Sequence, residues 1–381
     1  MENIVIIGSG MAGYGLLREL RKLDKEVPVT VITADDGAAY AKPNLSNALA
    51  SKKAPESLAN QSAEQIAASM NAQVRTHTRV NAIDTTARRV MTDGGEVRYS
   101  KLVLALGADP MAHGVQGEAA SYIHAVNDLA DYACFRDALE GKRHVAILGG
   151  GLIGCEFAND LVGAGYQVSV VHRGHQPLER LLPDRLAQQL DMALAQAGVA
   201  WFYGRTATRA EPGGDGITLT LDDAQTLKAD LVLSAIGLRP RIDMAQAAGL
   251  ATARGIVVDR TLQTSVPDIY AMGDCVEVNG LVLPFVQPLL QQARALAATL
   301  TGKPTQLSYP AMPVVVKTPA LPVTVAPPAA GVAGEWRVEQ VPDCTVARYE
   351  NEAGALLGFA LCGQAPGLRT ELTKQLPAMM E

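Results

Sequence analysis

The chain has 381 residues and a formal net charge of −6, so its length predicts two or three domains. The acidic balance and an aromatic content of 4% argue against a surface that binds nucleic acid. No apolar run reaches the roughly 18 residues of a membrane span, and a strand expected from residue 3 leaves no room for a signal peptide, so we expect a cytoplasmic protein without a membrane partner.

The first element is a short apolar strand, Ile4–Ile7, followed by a glycine-rich turn and by regularly spaced leucines that predict a helix. In this pattern the first glycine makes a tight turn, the second lets the backbone approach a pyrophosphate, and the third lets the helix pack on the strand. The helix N-terminus would attract the phosphates. The stretch therefore predicts a dinucleotide site, and its candidate residues are Gly8, Ser9, Gly10, Met11, Ala12 and Gly13.

The second strand of this unit is expected over 29–33, and an acid near its end would bind the ribose hydroxyls. Asp35 is the candidate, with a solvated loop carboxylate as the alternative interpretation. Further along the chain, Val80 is a candidate contact for an adenine, and a buried strand at 101–106 ends in a glycine turn. The candidate residues added here are Thr33, Ala34, Asp35, Val80 and Gly107.

A second strand–glycine–helix unit begins with the apolar stretch 142–148, and its glycines follow those of the first unit after 141 positions. Such a repeat of the motif with its flanking elements indicates a second dinucleotide site. Its candidate residues are Gly149, Gly151, Leu152, Ile153 and Gly154.

The strand 167–171 of the second unit ends in His172 and Arg173 where a ribose-binding acid is expected. Arg173 could accept the 2′-phosphate of NADPH. The retained third glycine, Gly154, favours NADH instead. We favour NADH and keep NADPH as the alternative.

The chain has five cysteines, none of them in a close pair. Metal ligation and redox-active disulfides both need close spacing, so we expect five reduced cysteines and no metal site. Any electron transfer must then use a bound cofactor.

The stretch 264–274, Thr-x-x-x-x-Ile-Tyr-Ala-x-Gly-Asp, resembles the second FAD fingerprint of the flavoprotein disulfide reductase superfamily. With the two glycine turns, the resemblance covers about residues 1–310. It implies an α/β fold with two Rossmann-like, glutathione reductase-like domains. FAD would bind a discontinuous domain, 1–109 and 232–310, and NADH a domain at 110–231. It also implies that Asp274 holds ribityl hydroxyls before a helix that faces phosphate, with further contacts from Gly273 and Val286 to FAD and from Gly237 to NAD.

Within this superfamily, Tyr40–Ser46 is similar to a segment of ferredoxin reductases and apoptosis-inducing factor. Together with 151–160 and 313–319 it resembles the rubredoxin–NAD reductases. The chain departs from the wider pattern at Lys42, where that pattern has Arg, and at Asn47, where it has the Lys that pairs with a Glu near the flavin. Glu156 occupies the position of that Glu and needs another partner.

The stretch 303–328 is rich in proline and is either a linker or a set of edge strands. β-Branched runs within it, and further strand patterns up to 361, favour a small α+β domain at 311–381 that contains an antiparallel sheet and a final helix from Leu368. We hypothesise that Lys317 replaces the missing partner of Glu156 and approaches the flavin. An exposed lysine is the alternative.

The resemblance implies hydride transfer from NADH to FAD, then single-electron transfer to rubredoxin, a small acidic iron protein. The downstream system would be a monooxygenase, as in alkane degradation, or an oxygen-detoxifying chain. The alternatives are a [2Fe–2S] ferredoxin or flavorubredoxin as acceptor, or a redox-sensing protein that binds NADH and FAD. Glu156 and Lys317 are the expected catalytic residues, Lys42 is an expected FAD contact, and the chain is expected to be a monomer or a weak dimer.

Overall fold

The computed structural model describes residues 3–381, and the first 110 residues supply most of one parallel-sheet domain. Its helices and strands are β1 (Ile4–Ile7), α1 (Met11–Leu23), β2 (Val29–Ile32), β3 (Ala39–Tyr40), β4 (Ala59–Gln61), α2 (Ala63–Ser69), β5 (Gln73–Arg75), β6 (Val80–Asp84), β7 (Arg89–Thr92), β8 (Gly95–Arg98), β9 (Lys101–Leu104) and β10 (Ala108–Pro110).

The middle of the chain forms a second parallel sheet. Its elements are β11 (Ile123–Ala125), α3 (Leu129–Ala138), β12 (His144–Leu148), α4 (Leu152–Gly163), β13 (Gln167–His172), α5 (Asp184–Ala197), β14 (Val199–Tyr203), β15 (Ala207–Gly213), β16 (Gly216–Leu221), β17 (Thr226–Ala229) and β18 (Leu231–Ser234). The order of the five parallel strands is β11-β18-β12-β13-β14, and β15 to β17 form a separate antiparallel sheet.

The chain then returns to the first domain through β19 (Leu238–Pro240), α6 (Asp243–Ala247), β20 (Ile256–Val258), β21 (Ile269–Ala271), β22 (Val276–Val278) and α7 (Val286–Leu300). The first sheet has the order β21-β9-β1-β2-β5. Buried leucines of α1 and α7 join its core, which explains the apolar spacing of both helices. The first domain is therefore discontinuous.

The return to the first domain comes later than the expected boundary at 232. β18 pairs with both β12 and β11, so it belongs to the second sheet. β19 then pairs with β10, beside the outgoing connection. The apolar pattern predicts a buried parallel strand correctly, but it carries no information about which of two sheets the strand joins.

The last segment forms an antiparallel sheet in the order β23-β24-β27-β26-β25. Its elements are β23 (Val314–Val316), β24 (Val323–Ala326), β25 (Glu335–Val341), β26 (Cys344–Glu350), β27 (Leu356–Gly363) and α8 (Pro366–Gln375). One face of this sheet packs on the second domain and the other packs on α8. The expected α+β C-terminal domain is confirmed, and the proline-rich stretch supplies one edge strand, β23, and its inner neighbour, β24.

No helix within residues 3–381 is long and apolar enough to cross a bilayer. In the same part of the chain, no group of three or more His, Cys, Asp or Glu side chains is placed to hold a metal ion. All five cysteines are free thiols, four of them buried.

Candidate active site

A single cleft of about 2560 Å³ runs between the three domains. Most small-molecule pockets measure about 300–1,000 Å³, so this cleft has room for more than one ligand. It is lined by both glycine turns, by the ends of β2 and β13, and by residues of the C-terminal domain.

The two glycine turns have nearly the same geometry. Gly8 and Gly149 have φ angles of +113° and +108°, a region that glycine alone enters without strain. A Cβ on Gly13 would lie well under 3 Å from the Gly8 carbonyl oxygen, and one on Gly154 equally close to the Gly149 oxygen. These close approaches bring each helix against its strand.

The middle glycines of the two turns face open space. A Cβ on Gly10 or Gly151 would have no atom of residues 3–381 within 4 Å. Each of these glycines precedes a helix, α1 or α4, whose first N–H groups are available to an anion. The residues present therefore fit two pyrophosphates, one at each turn.

At the end of β2, the side chain of Asp35 bonds the residues around it. Asp35 Oδ1 accepts hydrogen bonds from Thr33 Oγ1 at 2.5 Å, from the Gly37 amide at 3.0 Å and from Ser9 Oγ at 3.3 Å. The carboxylate thus lies beside the first glycine turn, and its hydrogen bonds to Ser9, Thr33 and Gly37 all use Oδ1.

The end of β13 is different. His172 Nδ1 accepts a hydrogen bond from the Gly150 amide at 3.1 Å, and burial lowers the pKa of His172. The ring is therefore neutral at pH 7 and supports the second glycine turn. Arg173, beside it, is exposed.

Glu156 lies on α4 where the three domains meet and is 1% exposed. Its Oε1 accepts a hydrogen bond from the Lys317 amide at 2.9 Å, and its Oε2 accepts one from Ser46 Oγ at 2.5 Å. Lys317 Nζ lies 3.1 Å from Glu156 Oε2, lies 3.2 Å from Ser46 Oγ, and also donates to the Pro43 carbonyl. Lys317 thus occupies the place of Glu156's partner, while the side-chain amide of Asn47 donates to the Pro43 carbonyl and to Ser46 Oγ.

A second lysine, Lys42, also lines the cleft. Lys42 Nζ donates to Asn127 Oδ1 at 2.6 Å, and Asn127 in turn donates to the Ala108 carbonyl at 2.9 Å. Burial lowers the pKa of Lys42, and burial raises the pKa of Asp274; each charge partly opposes the shift of the other. The two opposite charges thus act on each other within the cleft without forming an ion pair within 4 Å.

Most of the residues expected to bind a dinucleotide line this one cleft. They are Gly8, Ser9, Gly10, Met11, Ala12, Thr33, Ala34, Asp35, Lys42, Val80, Gly107, Gly149, Gly151, Leu152, Ile153, Glu156, His172, Arg173, Gly237, Asp274, Val286 and Lys317. The remaining three, Gly13, Gly154 and Gly273, are buried behind it and permit close packing. The helix expected directly after Asp274 is absent from the described chain: Gly273–Cys275 is a 3₁₀ turn followed by β22, and α7 begins only at Val286.

Three residues that contribute to the site were not identified from the sequence. Ser46 bonds Glu156, and Asn127 bonds Lys42. Asp160, one turn after Glu156, accepts the Leu49 and Ala50 amides at 2.9 Å each. The i, i+4 spacing of the two acids on α4 was the available signal, because it places both on one helix face.

Two Rossmann-type glycine turns that face one cleft define the class of two-dinucleotide-binding flavoproteins. A family model described as pyridine nucleotide-disulphide oxidoreductase matches residues 2–298, and one described as rubredoxin binding C-terminal domain matches 306–376. The chain belongs to the pyridine nucleotide-disulphide oxidoreductase family. FAD and NADH are its cofactor and co-substrate.

Relatives are similar over the whole length. A rubredoxin-NAD(+) reductase of Alcanivorax borkumensis is 48% identical over 100% of both chains. A nitric oxide reductase FlRd-NAD(+) reductase of Aeromonas hydrophila is 40% identical over 99% of this chain and 97% of its own. The crystal structure of the ferredoxin reductase for the CYP199A2 system of Rhodopseudomonas palustris is 27% identical with a TM-score of 0.90, covering 100% of this chain and 96% of its own.

Proposed function

We propose that this chain is an NADH:rubredoxin oxidoreductase. The observation that carries the proposal is that the C-terminal domain, the part that matches a rubredoxin-binding family, forms one wall of the dinucleotide cleft and supplies Lys317 to it. Electrons that leave the cleft at this wall would have a short path to a protein docked on that domain. The similarity to a rubredoxin-NAD(+) reductase supports the same acceptor.

A bound flavin supplies the chemistry that joins the two halves of the reaction, because it accepts a hydride and releases electrons singly. The chain's part is to bind and orient. Gly10 and Gly151 admit the two pyrophosphates, Asp35 holds the ribose of FAD, and Asp274 holds the ribityl chain beside Lys42. Glu156 fixes Lys317 at the junction of the domains.

The acceptor is tested by NADH-driven reduction of cytochrome c with catalytic rubredoxin in one cuvette and a [2Fe–2S] ferredoxin in another. We expect a large rise with rubredoxin alone. A rise with ferredoxin alone, or with neither protein, would contradict the proposal. A rubredoxin domain of a flavorubredoxin is the third acceptor to compare, because the Aeromonas relative makes it the second candidate. Its rate should stay below that of free rubredoxin.

Lys317 is proposed to place a positive charge beside the flavin and to favour its reduced, anionic form. In Lys317→Ala we expect a lower flavin midpoint potential and slower anaerobic reduction by NADH. Lys374→Ala, an exposed lysine of the same domain on α8, is the matched control and should change neither. If both variants keep the parent potential and rate, Lys317 has no such role.

The setting of the reaction is also a proposal. Five free thiols suit a reducing compartment, so we infer the cytoplasm. Electron delivery to a monooxygenase, as in alkane degradation, or to an oxygen-detoxifying system follows from the acceptor. Redox partners of this kind bind through small, charge-steered interfaces, so the rubredoxin-dependent rate should fall as salt rises. We expect a monomer or a weak dimer, which sedimentation measures directly.

A further inference from the structure

The second dinucleotide site lacks the acid that normally ends the second strand of such a site. β13 ends at His172, which supports the glycine turn, and Arg173 follows. Neither side chain can serve a ribose 2′-hydroxyl in the usual way, because that group needs a hydrogen-bond acceptor. An arginine only donates, and the acceptor nitrogen of His172 is already bonded to Gly150.

A carboxylate reaches the same place from further along the chain. Glu179 lines the cleft at the end of β13, and its Oε1 accepts a hydrogen bond from the His175 amide at 3.3 Å. Its Oε2 and His172 Nε2 both lie within 3 Å of the point where a Cβ on Gly174 would stand. Gly174 therefore leaves the space into which the Glu179 carboxylate folds.

We propose that Glu179 is the residue that selects NADH over NADPH, by accepting the 2′-hydroxyl of the adenosine ribose and repelling a 2′-phosphate. The proposal rests on the use of NADH in the proposed function, and it is independent of rubredoxin. The nearby donor, His172 Nε2, is buried and has no hydrogen-bond partner in the described part of the chain. Since Nδ1 is an acceptor, the neutral ring carries its proton on Nε2, which faces the carboxylate's side of the turn.

The other charged residues at this end of the cleft are arginines, so the preference for NADH over NADPH depends on Glu179. Arg173, Arg180 and Arg205 also line it. Arg205 is paired with Asp223 at 2.6 Å, whereas Arg173 and Arg180 have no ion pair among residues 3–381. Two uncompensated guanidinium groups would attract a 2′-phosphate, so the single carboxylate is what opposes NADPH.

Glu179→Gln removes the charge and keeps the size of the side chain. The first assay compares kcat/KM for NADH and NADPH with ferricyanide as acceptor, so it needs no protein partner. We expect the NADH:NADPH ratio to fall by about tenfold or more, as befits the loss of a charge-assisted hydrogen bond and of a like-charge repulsion. Glu140→Gln, an exposed acid just after α3 in the same domain, is the matched control and should keep the parent ratio.

The second assay measures binding alone, by calorimetric titration with ADP-ribose and with its 2′-phosphate. The parent should prefer ADP-ribose, and Glu179→Gln should weaken ADP-ribose and strengthen the phosphorylated ligand. Gly174→Ala should shift the same preference, because its Cβ would displace the Glu179 carboxylate and crowd His172 Nε2, and Gly174 has no positive φ that would strain an alanine.

Ratios unchanged within twofold in both variants would overturn the proposal, as would a parent that prefers NADPH. Failure of the rubredoxin assay would leave these ratios intact, so the two proposals fail separately.

Discussion

The two dinucleotide-binding halves of this molecule have glycine turns of the same geometry, but their second strands end differently. At the FAD half, Asp35 is bonded to the turn through Ser9 and is positioned directly by its own strand end. At the NADH half, His172 takes the structural part of that role, and the carboxylate comes from Glu179, seven positions later. The comparison separates two tasks: the turn accommodates a pyrophosphate in either half, while a carboxylate at the strand end or in the loop after it decides which ribose is accepted.

The largest effect should come from changing the FAD-side glycine turn, where the third glycine, Gly13, and the second, Gly10, predict different losses of stability. Gly13→Ala places a Cβ against the Gly8 carbonyl oxygen, so we expect the apoprotein to lose more than about 3 kcal/mol of stability. Gly10→Ala meets no atom of the described chain within 4 Å, so stability should change by about 1 kcal/mol or less, while FAD affinity falls. Thermal unfolding of the apoprotein and FAD titration measure both. Equal destabilisation by the two substitutions would contradict this division of roles.

A smaller effect should come from the FAD strand end. Asp35→Ala removes the acceptor of three hydrogen bonds, and we expect FAD affinity to fall by about tenfold, the worth of one or two such bonds. Binding of ADP-ribose at the other half should stay the same. Asp36→Ala, whose side chain bonds only the Ala38 amide, is the neighbouring control. A loss of ADP-ribose binding in Asp35→Ala would mean that the halves are not independent.

The smallest effect concerns pH and Asp274. Burial raises the pKa of this carboxyl, so its charged form is the unfavourable one in the folded apoprotein. At low pH the Asp274 carboxyl is neutral in both the folded and the unfolded state, so it does not lower the free energy of unfolding. This destabilisation grows as pH rises through the raised pKa of the folded state. Asp274→Asn should therefore stabilise the apoprotein above that pKa, by about 1 kcal/mol or less because Lys42 offsets part of the cost.

The same substitution should weaken FAD binding, since the acceptor for the ribityl hydroxyls is lost. Apoprotein melting temperatures of the two proteins across pH 3–8 give the test. Curves that stay parallel at every pH would contradict the assignment of this cost to Asp274.

Local patterns predicted the two glycine turns, their strands and helices, and the antiparallel C-terminal sheet, because each is encoded by residues close together in sequence. The partnership of Glu156 and Lys317 was accessible only through resemblance: Asn47 stands where a lysine is usual, so the acid needed another base. Nothing local links positions 161 residues apart.

What the sequence did not predict has physical reasons as well. The strand 231–234 is apolar enough for either sheet, and only pairing assigns it to the second. Glu179 lies seven residues beyond its expected place, and the loop that folds it back depends on a glycine without a positive φ, Gly174. The 3₁₀ turn at Asp274 gives no periodic signal because it is one turn long.

Helix α4 begins beside Gly151 and carries Glu156 and Asp160 on the face that meets the 46–50 segment. An α-helix advances about 1.5 Å and rotates about 100° per residue. The number of residues between the glycine turn and the Glu156 carboxylate therefore sets both their distance and the direction in which the carboxylate points. Removing one residue from this interval would shorten the distance only slightly but would swing Glu156 by more than a quarter turn, away from Ser46 and Lys317. The number of residues between Gly151 and Glu156 therefore fixes the direction of the Glu156 side chain. We expect this stretch to tolerate substitutions far better than insertions or deletions.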